Sequence, residues 1–179
     1  MGTAFESITE PMQAFIEAQH LFFVATAPTD DGRVNMSPKG YDSFKVLGPN
    51  RVAYADITGS GAETIAHLAQ NGRITFMFCA FEGKPNIVRL YGTGRSVLPG
   101  DPEFDEMLKV VGPQAGLRAF IVADIDRTSS SCGFAVPFMD YVEERTKLGD
   151  YWAPKSDEDL AEYWKKKNSS SIDGLPALA

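Results

Sequence analysis

Cysteine and histidine are scarce in this 179-residue chain: two of each, Cys79 and Cys132, His20 and His67, all far apart in sequence. That excludes a disulfide framework and a tetrahedral zinc site built on closely spaced ligands. No G-x-S-x-G, H-E-x-x-H or P-loop lysine motif occurs, so the common hydrolase and nucleotide-cleaving signatures are missing too. Positive charge is in deficit, with 17 Lys and Arg against 24 Asp and Glu for a net charge of -7. Such a chain is a poor general binder of nucleic-acid backbone or of an anionic membrane surface. The longest apolar stretches, Leu21–Ala27 and Ile74–Phe81, are too short to span a bilayer, and Met1–Glu6 lacks the basic and apolar regions of a signal peptide. What is abundant is apolar side chain, at 44%, enough for a sizeable core. The expectation is a soluble, cytoplasmic globular protein forming one domain over residues 1–179, without internal repeat or linker.

The hydrophobic pattern then divides the chain. Thr9, Pro11 and the helical spacing of Met12, Phe15 and Ile16 predict an opening helix. Leu21–Ala27 reads as a strand, broken by the turn Pro28–Gly32 and resumed at Arg33–Ser37 as a hairpin. Ser43–Leu47 and Arg51–Ile57 make a second pair across Gly48-Pro49-Asn50. Ser60 and Glu63 have the spacing of a capping box before the helix Ala62–Gln70, which Asn71-Gly72 ends. Arg73–Phe81 and Asn86–Leu98 are long strands, the second with Gly92 and Gly94 marking a bend or bulge. A short helix follows Asp101, and Ala119–Ile125 is the last clear strand. Thr128–Gly133 reads as a polar loop, Asp157–Asn168 as a surface helix with Lys165–Lys167 on a solvated face, and Ser169–Ala179 as a loosely ordered tail. Short connections between strands favour a mainly β (α+β) fold, a six-stranded antiparallel barrel with flanking helices and a C-terminal helical extension over about 127–179, rather than a parallel α/β sheet.

Three segments carry candidate chemistry. Thr58–Thr64 offers hydroxyls and free amides at a helix start, which suits a phosphate monoester; a plain capped turn explains it as well, and Glu63 would repel a phosphate. Asn35-Met36-Ser37-Pro38-Lys39-Gly40 presents an amide, a hydroxyl and one cation at a strand end, though the same residues read as an ordinary loop. Arg89, inside the apolar strand Asn86–Gly92, either reaches out to solvent or pairs with an anion. His67 is a weak candidate ligand, and no general acid or base is identifiable.

In their order along the chain, with Val34–Gly40 as V-N-x-S-P-K-G and Thr58–Leu68 as T-G-S-G-x-E-T-I-A-H-L, these segments resemble the pyridoxamine 5'-phosphate oxidase-like family of FMN-binding split barrels over roughly Phe15–Ile125. The resemblance implies a homodimer with FMN in a groove at each subunit interface. It implies that Asn35, Met36, Ser37 and Pro38 line the flavin ring, that Lys39 faces the phosphate or the ring's polar edge, that Thr58, Gly59, Ser60 and Thr64 hold the phosphate, and that Arg89 stands where the family also has an arginine. An oxidoreductase follows, moving electrons between a reduced donor and a small organic acceptor or oxygen, with the chemistry carried by the flavin.

Two departures narrow this. The family's namesake oxidase has an Arg-Lys pair at its phosphate helix, where this chain has Gly61, Ala62 and Glu63. It also ends in a tryptophan- and arginine-rich segment, where this chain has Ser171–Ala179, which argues against oxidation of pyridoxamine phosphate. Alternatives are a non-catalytic carrier of a flavin or other planar ligand and a deazaflavin F420-dependent reductase, the latter disfavoured by the acidity. The Cys132–Met139 loop reads as a seal on the barrel or dimer seam rather than as a cover over the flavin, and Tyr141, Tyr151 and Trp152 as residues that dock the C-terminal segment.

Overall fold

Strands of alternating large apolar side chains build one curled antiparallel sheet in this computed structural model, which describes residues 2–178. Met1 and Ala179, the outer ends of the two terminal segments read from sequence, lie outside the described residues. In chain order the elements are β1 (Thr3–Phe5), α1 (Glu10–Glu17), β2 (Phe22–Thr26), β3 (Asn35–Lys39), β4 (Phe44–Gly48), β5 (Arg51–Ile57), α2 (Glu63–Asn71), β6 (Arg73–Cys79), β7 (Ile87–Val97), α3 (Phe104–Val111), β8 (Leu117–Ser131), α4 (Lys147–Trp152) and α5 (Asp157–Lys167). The sheet runs β3-β2-β6-β7-β8-β5-β4, with β1 added to the end of β8. Eight strands stand among the described residues against the six of the expected barrel; seven of them fall on segments that read as strands in the sequence, and β1, exposed throughout, has no apolar alternation to announce it.

The two edges of this sheet meet across its concave side. Phe44 of β4 lies 5.0 Å from the ring of Phe22 in β2 and 5.0 Å from Phe78 in β6, although these strands stand in opposite halves of the order. Tyr54 and Phe76, fully buried, complete an aromatic filling that curls the sheet into a barrel. The edge strands β3 and β4 share no ladder, so the barrel is open along that seam. Their connection turns through Tyr41 and Asp42, both left-handed with φ of 63 and 47.

The helices cover what the barrel leaves open. α1, capped by the Thr9 hydroxyl, buries Met12 and Ile16, and α2 buries Ile65 and Leu68 against the same core. α3 packs Met107 and Val111 on the opposite face of β5 and β8, where Ala53, Ala55, Phe120 and Val122 form a second cluster. The expected bulge in β7 is present: the register with β8 shifts between Tyr91 and Gly92, and a Cβ at Gly92 would overlap the Asp124 carbonyl.

The C-terminal third departs furthest from expectation. Thr128–Ser131 is not a loop but the end of β8, because β1 and β7 pair with it on either side; an extension beginning at about 127 would cut through a strand. Only at Lys147 does the helical part begin, with α4 unforeseen from sequence. A capping box forms at Ser156 and Asp159. The tail is not loose either: Ser170 bridges to Pro176, Leu178 donates its amide to the Asn168 carbonyl, and the Leu178 side chain joins the main core.

Candidate functional site

The inner face of β5 changes character along its length. Val52 and Tyr54 point into the aromatic core, and the next residue on that face is Asp56, fully buried. A buried carboxylate needs cations and donors to balance its lost hydration. Lys39 at the end of β3 donates to Asp56 Oδ1 at 2.9 Å, and Arg118 at the start of β8 donates through Nε to Oδ2 at 2.7 Å. Burial alone would push the Asp56 carboxyl up; the two cations and their hydrogen bonds outweigh it and hold the group below the usual carboxylate range. Lys39 thereby ties β3 to β5 across the open side of the barrel.

Arg118 reaches further, donating through Nη1 to the Gly61 carbonyl at 2.8 Å, just ahead of α2. That helix has Ala62 at its N-cap and no side-chain cap, so the capping box expected from Ser60 and Glu63 does not form. Its first-turn amides lack a side-chain acceptor, the condition under which a helix start receives an anion. Asn35, Ser37, Lys39, Gly59, Gly61, Glu63, Thr64 and Arg118 surround a cavity of about 140 Å³ there. Asn35 Nδ2 donates to Thr64 Oγ1 at 3.2 Å, while Ser37 donates to Asn35 Oδ1 at 3.3 Å, so hairpin and helix are laced together beside the cavity. Behind them Thr26 Oγ1 and His67 Nδ1 share a hydrogen bond of 3.0 Å. Burial lowers the His67 pKa against the opposing pull of Glu63 and Asp173, which favours the neutral ring. The cavity adjoins a groove of about 620 Å³ walled by Arg33, Val34, Met36, Ser60 and the tail residues Ser170–Ile172.

The sequence of residues 8–132 matches the profile of the family described as pyridoxamine 5'-phosphate oxidase. The chain belongs to that family. It is 40% identical over 195 residues to the pyridoxamine 5'-phosphate oxidase family protein ustO of Aspergillus flavus, a match covering 99% of this chain and 78% of that protein. Among solved structures, HupZ from Group A Streptococcus superposes with a TM-score of 0.54 at 23% identity, covering 68% of this chain and 91% of that one. An FMN-binding protein from Syntrophomonas wolfei gives 0.53 at 18% identity, covering 66% and 82%. The fold is thus the family's split barrel, here open between β3 and β4.

Of the residues that the family resemblance nominated, Asn35, Met36, Ser37, Lys39, Gly59, Ser60 and Thr64 line the cavity or the groove. Three stand elsewhere. Thr58 lies beneath the turn, its hydroxyl accepting from Trp164 Nε1 and its carbonyl from Trp152 Nε1, both at 2.9 Å. Pro38 is exposed, paired with Phe23 on the outer face of the sheet. Arg89 shares that outer face two strands beyond β2, through the register Phe23–Met77–Arg89, and donates to Ser131 Oγ at 3.3 Å. Cys132 is exposed and lines neither cavity nor groove. Sequence reasoning missed Asp56, a lone carboxylate near the end of an apolar strand, and Arg118. The signal of Arg118, an arginine entering an apolar strand, is the one that singled out Arg89.

Proposed function

We propose that this chain is an FMN-binding oxidoreductase working as a homodimer, with the flavin between two copies and its phosphate in the cavity at the start of α2. The observation that carries this reading is the pair of cations, Lys39 and Arg118, fixed on Asp56 beside an uncapped helix start. The residues fit the phosphate end of a flavin. A cavity of about 140 Å³ holds a phosphoryl group but no ring system, and the groove beside it extends past apolar Val34 and Met36, 73% and 65% exposed. Apolar side chains left so open beside a groove suit a planar ring and a second subunit. Arg118 also answers the absence of the Arg-Lys pair, since a cation from β8 stands where the helix itself brings none.

In this reading Lys39, Arg118, the Thr64 hydroxyl and the first-turn amides of α2 bind the phosphoryl group, and Asp56 keeps both cations oriented. Asn35 fixes the hairpin against α2, and Val34 and Met36 shield the ring from water. The bound flavin supplies the exchange of electrons between donor and acceptor.

The decisive measurement is the absorption spectrum of protein purified without added cofactor, with mass identification of whatever denaturation releases. A flavin spectrum and FMN are expected; a colourless protein that does not take up added FMN overturns the reading. Lys39→Gln should weaken FMN by roughly 10- to 100-fold while riboflavin binding changes little, the loss of one charged hydrogen bond to phosphate. Turnover of NAD(P)H by the loaded protein separates the oxidoreductase from a flavin carrier.

A further inference from the structure

One side chain in the cavity carries the wrong charge for a phosphate site. Glu63, the first residue of α2, lines both cavity and groove, and its carboxylate folds back over Gly61, where it would overlap a Cβ. Gly61 is also where Arg118 donates to the backbone. The carboxylate therefore lies ahead of its own helix, in the cavity that Arg118 also lines and to which the flavin reading assigns the phosphoryl group. Glu63 is engaged from outside as well: Oε1 accepts the backbone amide of Ile172 at 3.2 Å. The next residue, Asp173, accepts from both the amide and the guanidinium of Arg33, which closes the tail over the groove.

We propose that Glu63 is a gate on the phosphate position: a ligand phosphate entering the cavity it lines displaces its carboxylate, which releases the Ile172 amide and loosens the tail around Ser170–Asp173. The proposal rests on the flavin reading above. Two anions a few ångströms apart beside one helix start repel, so the phosphate and the Glu63 carboxylate exclude one another. Gly61 is required for this arrangement, because any side chain there would push the carboxylate out. Glu63 thus sets how strongly the site discriminates phosphorylated from unphosphorylated ligands, and couples occupancy to the C-terminal segment.

The test uses the full chain freed of any bound flavin, with FMN and riboflavin as probes. Glu63→Gln keeps the length and the acceptor for Ile172 but removes the charge. Its FMN affinity should rise roughly tenfold with riboflavin affinity unchanged within about twofold, as expected for removal of one like charge near a phosphate. Amide hydrogen exchange supplies the second readout: FMN, but not riboflavin, should speed exchange at Ile172 in the unaltered protein. Equal affinity changes for both probes, an unchanged FMN affinity in Glu63→Gln, or an Ile172 amide that FMN leaves protected would each overturn the gate. Protein that binds neither probe overturns the flavin reading itself, so the two failures are distinguishable.

Discussion

Two residues apart on the same face of β5, Tyr54 and Asp56 anchor two interiors of opposite kind. Around Tyr54 the barrel is aromatic, filled by Phe22, Phe44, Phe76 and Phe78, and Lys39 Nζ lies 5.6 Å from the Tyr54 ring at the border with the second interior. Around Asp56 it is ionic, with Lys39 and Arg118 on one carboxylate and Asn35, Thr64, Thr26 and His67 in a polar string behind. The first region gains its stability chiefly from area removed from water and from close packing. The second needs every partner in place, because each buried charge is costly alone. A fold that wanted only stability would continue the aromatic filling to the end of the strand. The ionic end is the part that the flavin reading assigns to a ligand.

The contrast can be broken from either side. Phe76→Ala should cost the most, about 4 kcal/mol in chemical denaturation, by opening a cavity among the aromatic rings. That loss should be insensitive to pH, whereas Asp56→Ala, costing about 3 kcal/mol by leaving the buried Arg118 without its carboxylate, should depend on it. The native Asp56 pKa is lowered, so its contribution is complete above the unfolded value of about 4 and is lost as pH falls through the native value below that. The denaturation curve of Asp56→Ala should accordingly be flatter than that of the unaltered protein in strong acid; equal slopes would show that the carboxylate is not held ionised.

A smaller effect belongs to His67, whose native pKa is also lowered. The unfolded chain then binds a proton that the fold refuses, so stability falls as pH drops below about 6.5, by at most roughly 1.4 kcal/mol per unit. His67→Gln should flatten that window, measured by thermal or urea unfolding across it. Smallest is Ser156→Ala at about 1 kcal/mol, the loss of an N-cap on a peripheral helix. It should leave both interiors, and flavin affinity with them, untouched.

Much of the barrel is legible in the chain because alternation is local: Ile74, Phe76 and Phe78 announce an inward row before any partner is known, and all three are buried. The hairpin Asn35–Lys39 and the turn Gly59–Thr64 are legible as chemistry for the same reason, since each gathers its polar groups within a few residues. β1 and α4 are not legible. β1 is exposed and owes its existence to register with Thr128–Ser130, and α4 is a single short helix that docks by Trp152, whose indole donates to the Thr58 carbonyl. The order of the tail is not legible because nothing in Ser169–Leu178 alternates; partners at neighbouring Asn168 and at distant Glu63 and Arg33 supply it.

The two arginines draw the boundary most sharply. Each stands in an apolar strand, and the one-dimensional pattern gives no way to rank them. In β7 the pleat turns Arg89 to the outer face, next to Ser131, while at the entry to β8 Arg118 is the extra residue where the register with β5 shifts, and its side chain reaches Asp56. The amino-acid order by itself determined a curled antiparallel sheet with a polar turn ahead of its second helix, because side-chain period and turn chemistry act between near neighbours. Which cation serves that turn was decided only in three dimensions, because a strand's facing depends on the ladder it joins and on the residues waiting across it.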